Sequence, residues 1–151
     1  MRRFFTALLL TLSAVVYIHA QERLTVSVAV PDGISSENAV TTLTSNLKQA
    51  LVLNDAAADN SRFVLQAKVA ELSKDVTSTA PPMFVTELEI SLFVTDTASG
   101  DVLSQTSFTV KGIADNDQAS CMDAVKKVKA RDPKLRALIN QAKEYFDEHI
   151  Y

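Results

Sequence analysis

Cys121 and His149 are the two side chains best suited to nucleophilic chemistry, since an imidazole beside a thiol can draw it to the thiolate. Cys121 falls on an apolar helical pattern, which predicts a buried and inert thiol. His149 stands near the end of a helical stretch, where an imidazole packs or meets the helix dipole. Asp115, Asn116 and Asp117 gather oxygen ligands, as do Asp96 and Asp101, and either set could contribute to a cation site. Neither has the ordered oxygen spacing and central glycine of a calcium loop, and helix capping and turn formation account for both. Glu87 and Glu89 lie two apart on one strand face and could form a carboxylate pair. Lys68 and Lys111 are available opposite them on a face expected to meet water, and no pocket follows from the pattern. The sequence therefore names no catalytic residue, no metal ligand and no cofactor.

Two stretches carry binding chemistry instead. Lys126, Lys127, Lys129, Arg131, Lys134 and Arg136 form the densest charge cluster. Part of it compensates the dipole of the helix before it. The alternative is that Lys126, Lys127, Lys129 and Arg131 contact an anionic surface, either lipid headgroups or an acidic protein. No apolar stripe accompanies the cluster in the sequence, which favours a solvated face. The second stretch is Thr79 to Val85, TAPPMFV. Pro81 and Pro82 stiffen it and favour an extended, polyproline-like path, and Met83 and Val85 follow as apolar side chains. Pro81, Pro82, Met83 and Val85 are thus a candidate protein-docking tip. In the competing reading the prolines only end a hairpin and Met83 folds back over the core.

The elements that must hold these stretches follow from periodicity. Phe84 to Asp96 alternates Phe84, Leu88, Ile90, Leu92 and Val94 with Glu87, Glu89, Ser91 and Thr95, the period of a half-buried strand. The turn Asp96 to Asp101 leads to another strand, with Val102, Thr106, Phe108 and Val110 inward and an end at Lys111-Gly112. Before the central strand, Phe63, Leu65, Ala67 and Val69 alternate in a strand that runs toward Val76. The first strand, Leu24 to Val30, stops at Pro31-Asp32-Gly33. A helix capped by Ser35 or Ser36 then buries Val40, Leu43, Leu47, Ala50 and Leu51 and ends near Asn54. Asn116 or Asp117 caps a second helix with Cys121, Ala124, Val125 and Val128 on one face. Asp132-Pro133 opens a third, with Leu135, Leu138, Ile139, Ala142, Tyr145 or Phe146, and His149. The expected fold is α+β, one four-stranded, mainly antiparallel sheet in the order β-α-β-β-β-α-α with helices on one face.

The chain has 151 residues and opens MRRFF, followed by an apolar run to Ile18 and a small-residue close at Ile18-His19-Ala20. This predicts a secretory signal peptide, residues 1–20, followed by a single domain, 21–151. An uncleaved anchor is the alternative, though the run is short for a membrane span. Arg2-Arg3 lacks the polar flanks of a twin-arginine signal, so the general export route and a periplasmic or secreted location are expected. No cysteine follows the apolar run to carry a lipoprotein anchor. Cys121, the sole cysteine, cannot form an internal disulfide. Setting aside Arg2 and Arg3 leaves 13 basic residues against 18 acidic ones, a net charge of −5 that argues against general nucleic-acid binding.

From Lys74 to Tyr145 the chain resembles an uncharacterised family of small exported bacterial proteins, through KDVTSTAPPMF, LEISLFVTDTASG, TVKGIADNDQASCMDAVKKV and a final helix rich in aromatic residues. It departs from that pattern at Ala114, where the family has a second glycine, and at Gln118, where it has an acidic residue. The order of elements is also similar to the N-terminal domain of the Tol-Pal propeller protein and the periplasmic part of the curli secretion channel. The resemblance implies export and no particular reaction. The expected function is a noncatalytic binding or assembly module whose partner is another envelope protein, without stable membrane insertion once the signal is removed. The alternative is a small ligand-binding protein or enzyme with a site of ordinary residues.

Overall fold

The computed structural model describes residues 23–149; the signal segment expected over residues 1–20 lies outside them. Seven elements follow the expected order: β1 (Val26–Val28), α1 (Glu37–Leu53), β2 (Phe63–Val76), β3 (Phe84–Asp96), β4 (Val102–Ala114), α2 (Asp117–Val125) and α3 (Pro133–His149). The strands form one sheet in the order β1-β2-β3-β4, with β2, β3 and β4 an antiparallel meander. β1 lies parallel to β2 at one edge, and α1 is the crossover such a pairing requires. The fold is α+β with a mixed, mostly antiparallel sheet, as expected.

Helices cover one face. Phe63, Leu65, Ala67, Leu88, Ile90, Leu92, Val94, Phe108 and Val110 point into them and are buried, while Gln66, Lys68, Gln105, Ser107, Thr109 and Lys111 on the alternate positions are exposed. Leu43, Leu47 and Leu51 of α1 and Leu135, Leu138 and Ile139 of α3 complete the core. Burying each such side chain contributes about 1.5–3 kcal/mol. Ser36 caps α1 through its hydroxyl on the Ala39 N–H (3.3 Å), and Asn116 caps α2 on the Ala119 N–H (2.8 Å). Phe146 rather than Tyr145 enters the core, edge-on to Phe63 at 5.4 Å.

Several details correct the sequence reading. β1 spans three residues rather than Leu24 to Val30, and Val30 is 79 % exposed. The chain leaves regular pairing after Val28, although the N–H groups of Ala29 and Asp32 still reach the carbonyls of Leu65 and Ala67. On α1 the buried first-turn residue is Ala39, with Val40 half-buried. β4 carries a bulge: Val94 faces Ser104 whereas Thr95 faces Val102, so Leu103 is an extra residue. The bulge reverses the alternation before it, leaving Val102 exposed and Leu103 buried, and Ser104 turns inward to donate to the Leu138 carbonyl at 2.8 Å. β4 also runs past Gly112 to Ala114. A Cβ on Gly112 would stand 1.9 Å from the Ser120 carbonyl oxygen and 2.4 Å from the Ala124 nitrogen, so the missing side chain lets α2 lie directly on the strand.

Candidate functional site

The sheet reaches beyond its helical cover at the end where β2 turns into β3. Thr86 and Gly112 pack against α2 there, Thr86 through a 2.6 Å hydroxyl pair with Ser120, and the Ile113 N–H still donates to the Asp123 carboxylate of α2 at 2.9 Å. Past them the register places Asp75, Val85 and Ile113 side by side on the open face, and Val76, Phe84 and Ala114 side by side on the other. Val76 is 57 % exposed and Ile113 50 %, and Val85, Phe84 and Met83 are half-buried. Leu72, at a bulge in β2, is a further exposed apolar residue. Among the described residues, the backbone hydrogen bonds of β2 with the β1 side end at Asp32, which bridges Lys68 and accepts from the Val69 N–H.

The connecting loop does not take the expected polyproline path. The Ala80–Pro81 peptide is cis, and Thr77 closes the turn: its N–H donates to the Met83 carbonyl at 2.8 Å and its hydroxyl accepts from the Met83 N–H at 2.9 Å. The hydroxyls of Thr77 and Thr79 lie 2.6 Å apart. Pro81 and Pro82 are exposed at the crown of a turn tied at its base. Met83 and Val85 neither project fully nor sink into the core. Of the anticipated docking residues, the register sets Val85 beside Ile113 on the open face, while Val76 lies opposite Phe84 on the other face. Ile113 escaped the sequence reading because only cross-strand register places it beside Val85.

The remaining candidates are occupied locally. Asp96 is buried and takes two contacts from the Arg62 guanidinium, at 2.7 and 2.5 Å, and one from the Ala98 N–H at 2.9 Å. The Arg62 hydrogen bonds hold its carboxyl well below the usual carboxylate range against the opposing effect of burial. Asp117 pairs with Lys74 at 2.9 Å, and Asp115 meets the Asn116 amide at 3.0 Å. Glu87 faces Lys111 across the strands at 3.9 Å, as anticipated. Lys68 instead faces Ser91 and sits 5.8 Å from the Phe93 ring centroid. His149 is exposed and stacks on Tyr145 at 4.2 Å.

Cys121 is half-buried rather than buried. Ser120 takes the core-facing position, because the Thr86 hydroxyl satisfies it there. The thiol borders a cavity of about 50 Å³ between the 33–36 loop, β2, β3 and α2. Burial pushes its pKa up, with Asp117 and Glu71 adding to the effect and Lys74 opposing it. On the open face, Glu89, Ser91, Phe93, Gln105, Ser107 and Lys134 border a shallow depression of about 470 Å³.

The basic cluster divides in two. Lys127 and Lys134 fold onto the outer edge of β4, donating to the carbonyls of Lys111 and Ser107, the latter at 2.9 Å, and Lys134 also lies 5.1 Å from the Phe108 ring centroid. The side chains of Lys126, Lys129, Arg131 and Arg136 are exposed and make no ion pair or hydrogen bond among the described residues. Arg131 and Arg136 flank a concavity of about 220 Å³ whose wall is completed by Leu53, Asn54 and Ala130.

No family model and no curated protein matches the chain. Solved structures do. XCC0632 from Xanthomonas campestris, assigned to the family DUF330, is 14% identical over 85% of this chain and 88% of its own, with a TM-score of 0.51. A minor lipoprotein from Acinetobacter baumannii is 10% identical over 79% of this chain and 95% of its own, with a TM-score of 0.50. PelC from Paraburkholderia phytofirmans, a dodecamer, is less alike, at 16% identity over 70% and 84% of the two chains and a TM-score of 0.44. The first two likenesses establish a shared fold. The comparison with the Tol-Pal and curli proteins gains no support from them.

Proposed function

We propose that the chain is a noncatalytic, exported binding module of the bacterial cell envelope, which docks another envelope protein through the apolar tip of its sheet. The observation that carries this reading is the apolar end of the meander: Val85 and Ile113 adjoin on the open face, Val76 is exposed on the other, and Met83 lies in a turn held by the Thr77 bonds. Covering one such side chain contributes about 1.5–3 kcal/mol, and a turn already tied in place loses little entropy on binding. The free edge of β2 beside the tip can accept an extended segment of the partner. Export is supported by the MRRFF n-region and the apolar run after it, and by the lipoprotein among the structures sharing the fold.

A photoreactive amino acid placed at Ile113 in the native host tests the reading. A single discrete adduct is expected there, and none from the same probe at Thr109 on the same strand. The double substitution M83S/V85S should weaken the Ile113 adduct about tenfold while changing thermal stability little. Equal labelling from Thr109, or an undiminished adduct in a folded double variant, would count against the tip.

A further inference from the structure

The sequence offered the basic cluster no apolar companion, yet the fold supplies one. The last turn of α1 ends against the 126–136 segment, so that Leu53, 48 % exposed, shares a concavity with Arg131 and Arg136. Val52, next in sequence, is 64 % exposed and borders a neighbouring concavity with Lys48 and Asp59. Val128 is buried and its carbonyl accepts from the Asn46 amide at 3.0 Å, while the Asn54 carbonyl is capped by Lys143, so helix end and basic segment are fixed relative to each other. Lys126, Lys129, Arg131 and Arg136 have no counter-charge among the described residues. Asp132 is engaged at the start of α3, its carboxylate accepting from the Lys134 N–H at 2.8 Å, and Asp55 is paired with Arg23 at 2.6 Å. The whole lies on a chain whose net charge is negative, which makes the local excess of cations conspicuous.

We infer that this surface is a peripheral docking site for an anionic phospholipid bilayer, with Arg131 and Arg136 on lipid phosphates and Val52 and Leu53 entering the headgroup–acyl boundary. Arg131 and Arg136 beside the exposed Leu53 match both layers of that boundary, whereas an acidic protein would leave Leu53 without a specified contact. Each basic side chain near such a surface strengthens attachment several-fold, and two short aliphatic side chains add a modest apolar increment, so attachment is reversible and salt-sensitive. No described helix is long and apolar enough to cross a membrane, and this mode needs none.

Flotation of the mature protein with vesicles of phosphatidylethanolamine and phosphatidylglycerol tests the inference, with pure phosphatidylcholine vesicles alongside. Binding is expected to the first and to be at least about tenfold weaker to the second. R131E/R136E should lose at least about tenfold in partitioning, and Leu53→Ser should weaken it several-fold at unchanged charge. K68E/K111E, the same charge change on the open sheet face, should bind as wild type apart from the small effect of net charge. Circular dichroism and thermal melting confirm folding, and R131Q/R136Q replaces any variant that does not fold. Absence of flotation with the anionic vesicles would overturn the inference, even if the protein were retained on a polyglutamate matrix. Equal loss in K68E/K111E, or abolition of binding by modest inorganic phosphate without effect from Leu53→Ser, would overturn it as well.

Discussion

Asp96 is the one buried ionisable group among the described residues, and its position at the turn between β3 and β4 makes the Arg62 pair a fastening of two strands. Its folded pKa lies below its ordinary value near 3.8, so the stabilisation it brings is fully present above that value. As pH falls below it toward the folded value, the stabilisation is lost. Melting temperatures measured across that acid range should fall less steeply for Asp96→Asn than for the wild type; parallel curves would show that the pair contributes nothing. Cys121 gives a second expectation. Its raised pKa and partial burial should make it label more slowly at neutral pH than a free model thiol, with a rate that climbs steeply as pH rises. Faster labelling than the model thiol would contradict that environment. Hydrophobic periodicity placed the thiol one position too deep, since a pattern of apolar residues cannot register that Ser120 has a hydroxyl partner 34 residues away in β3.

Strand and helix identities were legible because each element carries its own period, as the alternation through β3 and the three- and four-residue steps of α1 and α3 show. The inward set of β4 was not fully legible, because a bulge is a property of pairing and leaves no mark in one strand alone. The two assignments make opposite forecasts. With Leu103 inside, Leu103→Ala should cost about 2–5 kcal/mol and Val102→Ala within about 0.5 kcal/mol, measured by urea denaturation. The reverse order would restore the simple alternation. Gly112 sets the spacing of β4 and α2, and Gly112→Ala should destabilise by about 1–3 kcal/mol or more, because the obstructing atoms are backbone. An unchanged denaturation midpoint would mean that α2 can shift without loss.

At the scale of the molecule, the two sheet edges are treated differently. The outer edge of β4 is closed by Lys127, Lys134 and the Asp123 carboxylate, which accepts from the Ile113 N–H at 2.9 Å. The short outer edge of β1 meets the 56–58 segment, through Val26 to Ala56 at 2.7 Å and Ala58 to Val26 at 3.1 Å. Among the described residues, the far half of β2, next to the tip, has no backbone partner on its outer edge. The tip's turn could be anticipated from its prolines, and the apolar surroundings could not, since Ile113 reaches Val85 only across a strand pair. The meeting of Leu53 with Arg131 was equally invisible, being a contact between elements distant in the chain.

The brevity of β1 has a consequence for the order in which the chain opens and closes. The meander is built from neighbouring hairpins, whereas Val26 meets Phe63 only after the chain has passed through the whole of α1. Closing that long loop is rewarded by a three-residue ladder, so its bonds form after the hairpins and are the first to yield in local fluctuations. Native-state hydrogen exchange should accordingly show the Ala29 and Asp32 amides, bonded to Leu65 and Ala67, exchanging through a lower-energy opening than the Ile90 and Leu92 amides at the centre of the sheet. Equal protection at all four positions would make the crossover part of the same cooperative unit as the meander. Unequal protection would identify the β1 side of the sheet as a door that opens while the three-stranded frame stays shut.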